Sequence, residues 1–357
     1  MSFHSFVEKH WVKRSIISYL FLPFAFLFSL ILGCRRLLYK LRILRQYHAH
    51  TFVISVGNLT VGGNGKTPFT ILLARALKEE GLSVAVSHRG YKGAYENTVK
   101  MISDKDQIFE EAQQAGDEPL LLAQNLKGIP VIVGKNRKAA IHFLSEKIHP
   151  DVVVMDDSYQ HIKVHHDFDF LLFNGENPVG NGFVTPAGML RESSRMMKFA
   201  HCFVLNDIQG ECGIPQIFKK YSIPILSTTY HITYFIDYIS SQTHESARFK
   251  NKNVFLLSGI GNPRSFERSM KECDLNFVHH FQFSDHHEFS KSDIAHIVNA
   301  AKEQKIDAIV TTEKDFEKLC KLDLDMEKFY YAKLEVKINE MDIFNGIVSK
   351  IKKEIGA

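Results

Sequence analysis

The chain has 357 residues, of which 45% are hydrophobic and 24% charged, and a formal net charge of +4. That length suggests two domains, the composition excludes an intrinsically disordered chain, and so mild a charge gives no argument for nucleic acid as a partner. Five scattered cysteines (Cys34, Cys202, Cys212, Cys273 and Cys320) form no C-x-x-C pair, which fits reduced thiols in a reducing compartment better than a disulfide frame.

The charge is unevenly placed. Residues 1–50 hold eight lysines and arginines (Lys9, Lys13, Arg14, Arg35, Arg36, Lys40, Arg42, Arg45) against Glu8 alone. The rest of the chain is therefore slightly acidic. Between these basic groups lies "SIISYLFLPFAFLFSLILGC", residues 15–34, with no charged side chain. As a helix, Ile16 to Leu32 would be about 26 Å long, slightly short of a hydrocarbon core of roughly 30 Å. Pro23 is expected to kink it. The long apolar run, the absence of an A-x-A site and the Arg35-Arg36 pair argue against a secretory signal. Three readings stay open: a bilayer span, a helix in the cytoplasmic interface with its basic flanks on anionic headgroups, or a buried core helix. Basic residues at both ends leave the positive-inside rule without a direction. Residues 1–48 are thus expected to form a basic, apolar, membrane-associating segment.

The body alternates strands and helices. "TFVISVGN" (51–58) is a β-rich run entering a glycine loop, and "PFTILLARALKEEG" (68–81) reads as a helix with Pro68 in its first turn and Gly81 at its C-terminus. Strands are expected at 82–90, 130–134, 151–157, 168–174, 200–207 and 223–228, with helices at 118–126 and 136–147. Apolar strands alternating with helices predict a doubly wound, mostly parallel sheet of the P-loop NTPase kind over residues 49–228. From about residue 229 the texture changes. A new strand–loop–helix unit starts at "KNVFLLSGIGNP" (252–263), so a smaller α/β domain is expected over 229–357.

The candidate chemistry begins with "VGNLTVGGNGKTPFT" (56–70). A strand, a glycine-rich turn and a Lys-Thr pair opening a helix is the context of a phosphate loop. Thr60 stands where G-x-x-x-x-G-K-[ST] has its first glycine. Thr60, Val61, Gly62, Gly63, Asn64 and Gly65 would wrap phosphate with backbone N–H groups at a helix N-terminus. Lys66 would reach the β- and γ-phosphates, and the Thr67 hydroxyl would ligate Mg²⁺. Next comes "DVVVMDDSYQH" (151–161), an apolar strand ending in Asp156 and Asp157. Such a pair is the second half of an NTP–Mg²⁺ site, because a cation relieves the mutual repulsion; Asp157 capping a turn is the plainer reading. Gln160 and His161 follow in the loop. In "GDEPLLLA" (116–123), Asp117 and Glu118 open a helix, where carboxylates are favoured by the dipole; Asp117 is also placed to accept the proton of a substrate hydroxyl. Asp285, His286 and His287 in "FSDHHEFS" could tune acid–base chemistry or be surface groups. In "PAGMLRESSR", Arg191 could neutralise phosphate and Glu192 reach a metal, or the two could form a surface ion pair.

Taken together, these segments resemble the tetraacyldisaccharide 4'-kinase family. The matching stretches are "VGNLTVGGNGKTP", "SHRGYKG", "GDEPLLLA", "DDSYQH", "LRES", "GIGNPRSF", "FSDHHEFS" and "TTEKDFEKL", in family order from about residue 52 to 320. The resemblance implies transfer of the γ-phosphate of ATP, with Mg²⁺, to the 4'-hydroxyl of a tetraacylated diglucosamine 1-phosphate, giving lipid IVA. It implies a P-loop domain and a smaller C-terminal domain with the site between them, at the cytoplasmic face of a bacterial inner membrane. It makes Asp117 the base, tuned by His286; gives Lys66 and Thr67 to the nucleotide; places Asp156, Asp157 and Glu192 around Mg²⁺ and phosphate; and keeps Glu118, His161 and Arg191 as supporting groups. The expected partners are the lipid substrate and an anionic membrane surface, with no nucleic acid and no obligate protein partner. His88 departs from the family wording, where a plain Ser-Arg run is usual, as do Lys92 and the Ser158-Tyr159 pair. The competing expectation is a membrane-associated P-loop switch or partitioning ATPase, which would share Lys66, Thr67 and the strand-end aspartate but would need no acceptor pocket with Asp117.

Overall fold

The computed structural model describes residues 10–206, 214–284, 287–322 and 327–356. The chain divides into two compact units, Met1–Thr229 with Ile338–Ala357, and Tyr230–Lys337.

The sheet of the first unit is built from β1 (Phe52–Asn58), β2 (Val84–His88), β3 (Lys100–Ser103), β4 (Val131–Val133), β5 (Val152–Asp156), β6 (Phe168–Asn174), β7 (Cys202–Asn206) and the start of β8 (Ile225–Asp237). Their order is β8-β7-β6-β1-β5-β2-β4-β3. Neighbouring strands in this order run parallel, except β3, which is antiparallel to β4. The apolar runs explain this. Val152 to Met155 and Phe170 to Phe173 have no exposed surface at all, so helices must cover both faces, as parallel sheets require. The Lys66–Glu79 helix lays Phe69, Leu73, Ala74 and Leu77 on one face together with Val56, Val154 and Phe170. The Arg137–Lys147 helix packs Ala140, Ile141 and Leu144 on the other, against Val53, Ala85 and Val153.

The C-terminal helix Met341–Ile355 also belongs to this unit. Its Phe344, Ile347, Val348 and Ile351 join the same core as the Lys66–Glu79 helix, and Glu340 just before it takes the backbone N–H and hydroxyl of Ser227 at 2.6 and 2.8 Å. The second unit accordingly ends near Lys337 rather than running to the end of the chain. β8 is one 13-residue strand that starts in the first unit and ends in the second.

The second unit holds the short β9 (Thr243–His244), antiparallel to the end of β8, and β10 (Val254–Ser258) parallel to both β11 (Phe277–Gln282) and β12 (Ala308–Thr312), with β12 parallel to β13 (Phe329–Ile338). Its family-like loops are joined by a buried ion pair. Asp315 accepts from Lys318 at 2.9 Å, from the Gly259 N–H at 2.8 Å and from the Thr312 hydroxyl at 2.8 Å. "GIGNP" and "TTEKD" are therefore tied together by structure.

Parallel register sets the working edge of the first unit. Val56 of β1 pairs with Asp156 of β5, so the loops after both strands leave the sheet side by side. Ligands of doubly wound sheets bind at such carboxyl ends.

The N-terminal segment is two helices, Ile16–Leu20 and Leu22–Lys40. Pro23 sits in the first turn of the second, where its missing N–H costs nothing; the expected mid-helix kink is instead a helix boundary. The core-helix reading fails. Leu20 and Phe26 are 71% and 73% exposed, and Phe24, Leu27, Leu30 and Ile31 are exposed too. Only Ala25 of the longer helix is buried. By length and composition this helix is apolar enough to cross a membrane.

Candidate active site

The glycine loop joins β1 to the Lys66–Glu79 helix. Gly62 and Gly65 take φ of 109° and 67°, where a side chain is strained. Thr60 has no such φ, so no glycine is needed there. Its side chain works instead: the Thr60 hydroxyl accepts from Asn64 Nδ2 at 2.7 Å, and its carbonyl accepts from Asn58 Nδ2 at 2.9 Å. Asn206, at the end of β7, donates to the Asn64 carbonyl. The start of the loop is zipped to "MLRES". Thr60 bridges Leu190, the Val61 N–H donates to the Met189 carbonyl at 2.8 Å, and the Arg191 N–H donates to the Leu59 carbonyl at 2.6 Å.

Lys66 and Thr67 open the helix and meet the strand-end aspartates. Lys66 Nζ lies 3.7 Å from Asp157 Oδ1. The Thr67 and Thr70 hydroxyls each donate to Asp156 at 3.1 Å, and the Asp157 N–H donates to it at 2.9 Å. Asp156 is fully buried. Burial raises its pKa; Glu118 and Asp157 push the same way, and His88 and Lys66 oppose them. Asp157 goes the other way. Burial alone would raise it, but Lys66 and Arg191 more than offset that and hold it below the usual carboxylate range. Arg191 Nη1 donates to Asp157 at 3.0 Å.

Glu118 joins this group through His88. The Gly90 N–H donates to His88 Nδ1 at 2.9 Å. In the neutral ring the proton then sits on Nε2, which lies 3.2 Å from Glu118 Oε2 and 3.9 Å from Asp156 Oδ2. The substitution that departs from the family wording is thus a buried donor at the centre of the site. Asp117 precedes Glu118 in the first turn of the Asp117–Asn125 helix. This turn is held against "GYKG". Gly116 has φ 106°, and a Cβ on Gly93 would meet the Ala115 carbonyl at 2.1 Å.

Two further groups at the site are not evident from the sequence. There His88 reads only as a departure from the family wording, and Arg137 as an ordinary helix residue. Arg137 is buried, donating to Ser87 Oγ at 3.1 Å and to the Asp156 carbonyl. Burial pushes its pKa down to about 10, so it remains a cation beneath the aspartates at neutral pH. No local pattern distinguishes such a residue from a solvated one.

The other candidates are placed differently. Glu192 turns to Arg36, whose Nη2 donates to it at 2.5 Å, and no contact joins it to Asp156 or Thr67. Gln160 ties its loop to β1 by donating to the Asn58 carbonyl at 2.7 Å. Burial pushes the His161 pKa down to about 4, so it is neutral at pH 7. Asp285 and His286 lie outside the described residues. Their neighbour His287 stacks on Phe283 and reaches Asp293 at 3.2 Å.

The comparisons with known proteins decide the family. The model for "Tetraacyldisaccharide-1-P 4'-kinase" matches residues 17–352. The chain belongs to this family. A tetraacyldisaccharide 4'-kinase of Pelobacter propionicus is 35% identical over 90% of this chain and 89% of its own. One of Mannheimia succiniciproducens is 33% identical over 96% and 99%. Among solved structures, LpxK from Aquifex aeolicus in complex with ATP aligns with a TM-score of 0.75 at 26% identity, covering 94% of this chain and 99% of that one. The P-loop kinase fold expected from the sequence is therefore shown, and the switch-ATPase alternative is not favoured.

Proposed function

We propose that this chain transfers the γ-phosphate of ATP to the 4'-hydroxyl of a tetraacylated diglucosamine 1-phosphate. The observation that carries this reading is the convergence of Lys66, Thr67, Asp156, Asp157, Glu118 and Arg191 at the carboxyl ends of β1 and β5. Phosphoryl transfer asks a protein chiefly for positioning and charge neutralisation, and these are what the site offers. Gly62 to Gly65 present backbone N–H groups to the phosphates. Lys66 and Arg191, both on Asp157 here, are free to exchange that carboxylate for phosphate oxygens.

The donor set fits Mg²⁺. Asp156 is buried, crowded by Asp157 and Glu118, and bonded to Thr67; a cation relieves that crowding. Mg²⁺ commonly takes one or two carboxylates and completes its shell with phosphate oxygens and water, so Asp156 with the neighbouring Thr67 hydroxyl is a sufficient share from the protein. Thr67 and Asp156 would hold it, and it would neutralise charge on the phosphates. Glu192 is left out of this set because Arg36 takes its carboxylate. Asp117 is assigned the acceptor hydroxyl, whose proton it would take; His286 is the group proposed to tune it.

Purified chain given γ-labelled ATP and the disaccharide lipid should label the lipid. Hydrolysis of ATP with no labelled lipid would defeat the proposal.

The apolar helix is proposed to lie in the cytoplasmic interface without crossing. Both ends of the segment touch the same unit. Near its start, Trp11 Nε1 donates to the Pro186 carbonyl at 3.1 Å, and Tyr19 packs on Phe183. Near its end, Arg35 donates to the Gln160 carbonyl at 2.6 Å. A helix tied at both ends to one globular face leaves its apolar side for the acyl region, with Lys40, Arg42 and Arg45 beside anionic headgroups. Alkaline carbonate should release the protein from membranes; retention in the pellet would favour a span.

A further inference from the structure

We propose that Arg36, seconded by Arg35, latches the amphiphilic helix to the two loops that build the phosphate site, and that Arg36 is a positioning residue for the transfer. This inference rests on the kinase reading of that site. In the sequence the Arg35-Arg36 pair reads as headgroup-binding charge. The structure uses both differently. Arg36 Nε and Nη2 donate to Glu192 Oε2 at 3.1 and 2.5 Å. Its guanidinium also lies 5.6 Å from the Tyr159 ring centroid and 5.7 Å from that of Phe199. Arg35 Nη2 donates to the Gln160 carbonyl.

The Glu192 side chain is 3% exposed, and Arg36 is its only ion-pair partner among the described residues. A buried carboxylate without its cation is strongly disfavoured, so the stretch around Glu192 keeps its place only while the helix is docked. That stretch matters to the chemistry. Leu190 bridges Thr60, and the Arg191 N–H holds the Leu59 carbonyl. The Arg191 side chain holds Asp157, which faces Lys66. On the other loop, Gln160 holds the last residue of β1 through the Asn58 carbonyl. The helix that meets the lipid thus fixes both loops that meet the nucleotide.

The test uses the full chain in detergent micelles, where attachment to a bilayer does not limit turnover. Arg36→Ala should lower kcat about tenfold to a hundredfold, as expected of a small misplacement, with KM for ATP within about twofold of the parent. Binding to anionic vesicles should be kept, because the apolar face, Lys40, Arg42 and Arg45 remain. Glu192→Gln should also lower kcat, and the double variant should lose no more than Arg36→Ala alone, since the buried charge leaves with its partner. Amide exchange of residues 189–192 should quicken in Arg36→Ala whatever the acceptor substrate is. That readout separates failure of the latch from failure of the kinase reading. Parental kcat and parental exchange in Arg36→Ala, or losses that add in the double variant, would overturn the latch. Loss of vesicle binding with kcat intact would make Arg36 a headgroup anchor only.

Discussion

Lys66→Ala is expected to cut lipid phosphorylation by about 10²–10³ while leaving the chain folded. The expectation follows from where the ammonium sits. It opens a helix whose N-terminal N–H groups face the loop, and it lies 3.7 Å from Asp157. In a site closed to water such a charge acts at low effective dielectric, where each fixed cation counts for more than it does in solution. Stability should change little. Asp157 keeps Arg191 at 3.0 Å as a second cation, and Lys66 contributes nothing to the apolar core formed by Phe69, Leu73 and Leu77. Initial rates with labelled ATP, set beside a thermal melt, decide the matter. A rate within about tenfold of the parent would remove Lys66 from the transfer.

Asp117→Asn should lower kcat by about 10²–10⁴, the usual contribution of a general base. Asparagine keeps the shape and removes the proton acceptor. The cost to the fold should be small, because a carboxylate at a helix N-terminus contributes only about 0.3–1 kcal/mol. The turn around it is held independently, by Gly116 at φ 106° and by Glu118 on His88 at 3.2 Å. ATP hydrolysis in the absence of lipid should be affected less than transfer to lipid, since water brings its own acceptors. Equal losses in the two reactions would mean that Asp117 serves the nucleotide and not the sugar hydroxyl.

Much of this site is legible in the amino-acid sequence. The phosphate loop is a contiguous pattern, and glycines, lysine and threonine act where the chain puts them. Asp156 and Asp157 end an apolar strand, and an apolar strand ending in carboxylates can be read locally. Thr60 shows the limit of such reading. As a letter it broke a motif. In space its backbone needs no glycine, and its hydroxyl and carbonyl fasten the loop from within.

Three things could not be read this way, each for the same reason. His88 became a donor to Glu118 only when β2 was laid beside β5 and the helix after Gly116 was brought over them. Arg137 became a buried cation because its helix covers the strand that ends in Asp156. Glu192 was expected at a metal and is found on Arg36, 156 positions away in the chain.

The elements and the family follow from local patterns: apolar runs that demand a covered parallel sheet, a glycine loop before Lys66-Thr67, two strand-end aspartates, and a basic apolar helix near residues 16–40. Those are patterns within a window of a few turns, and backbone geometry converts them directly into structure. Which charge faces which is settled by packing. It sets Arg36 on Glu192, Arg191 on Asp157, and the Met341–Ile355 helix in the first unit. A buried charge or apolar face needs a partner wherever in the chain it lies, and that partner is chosen by packing between distant segments.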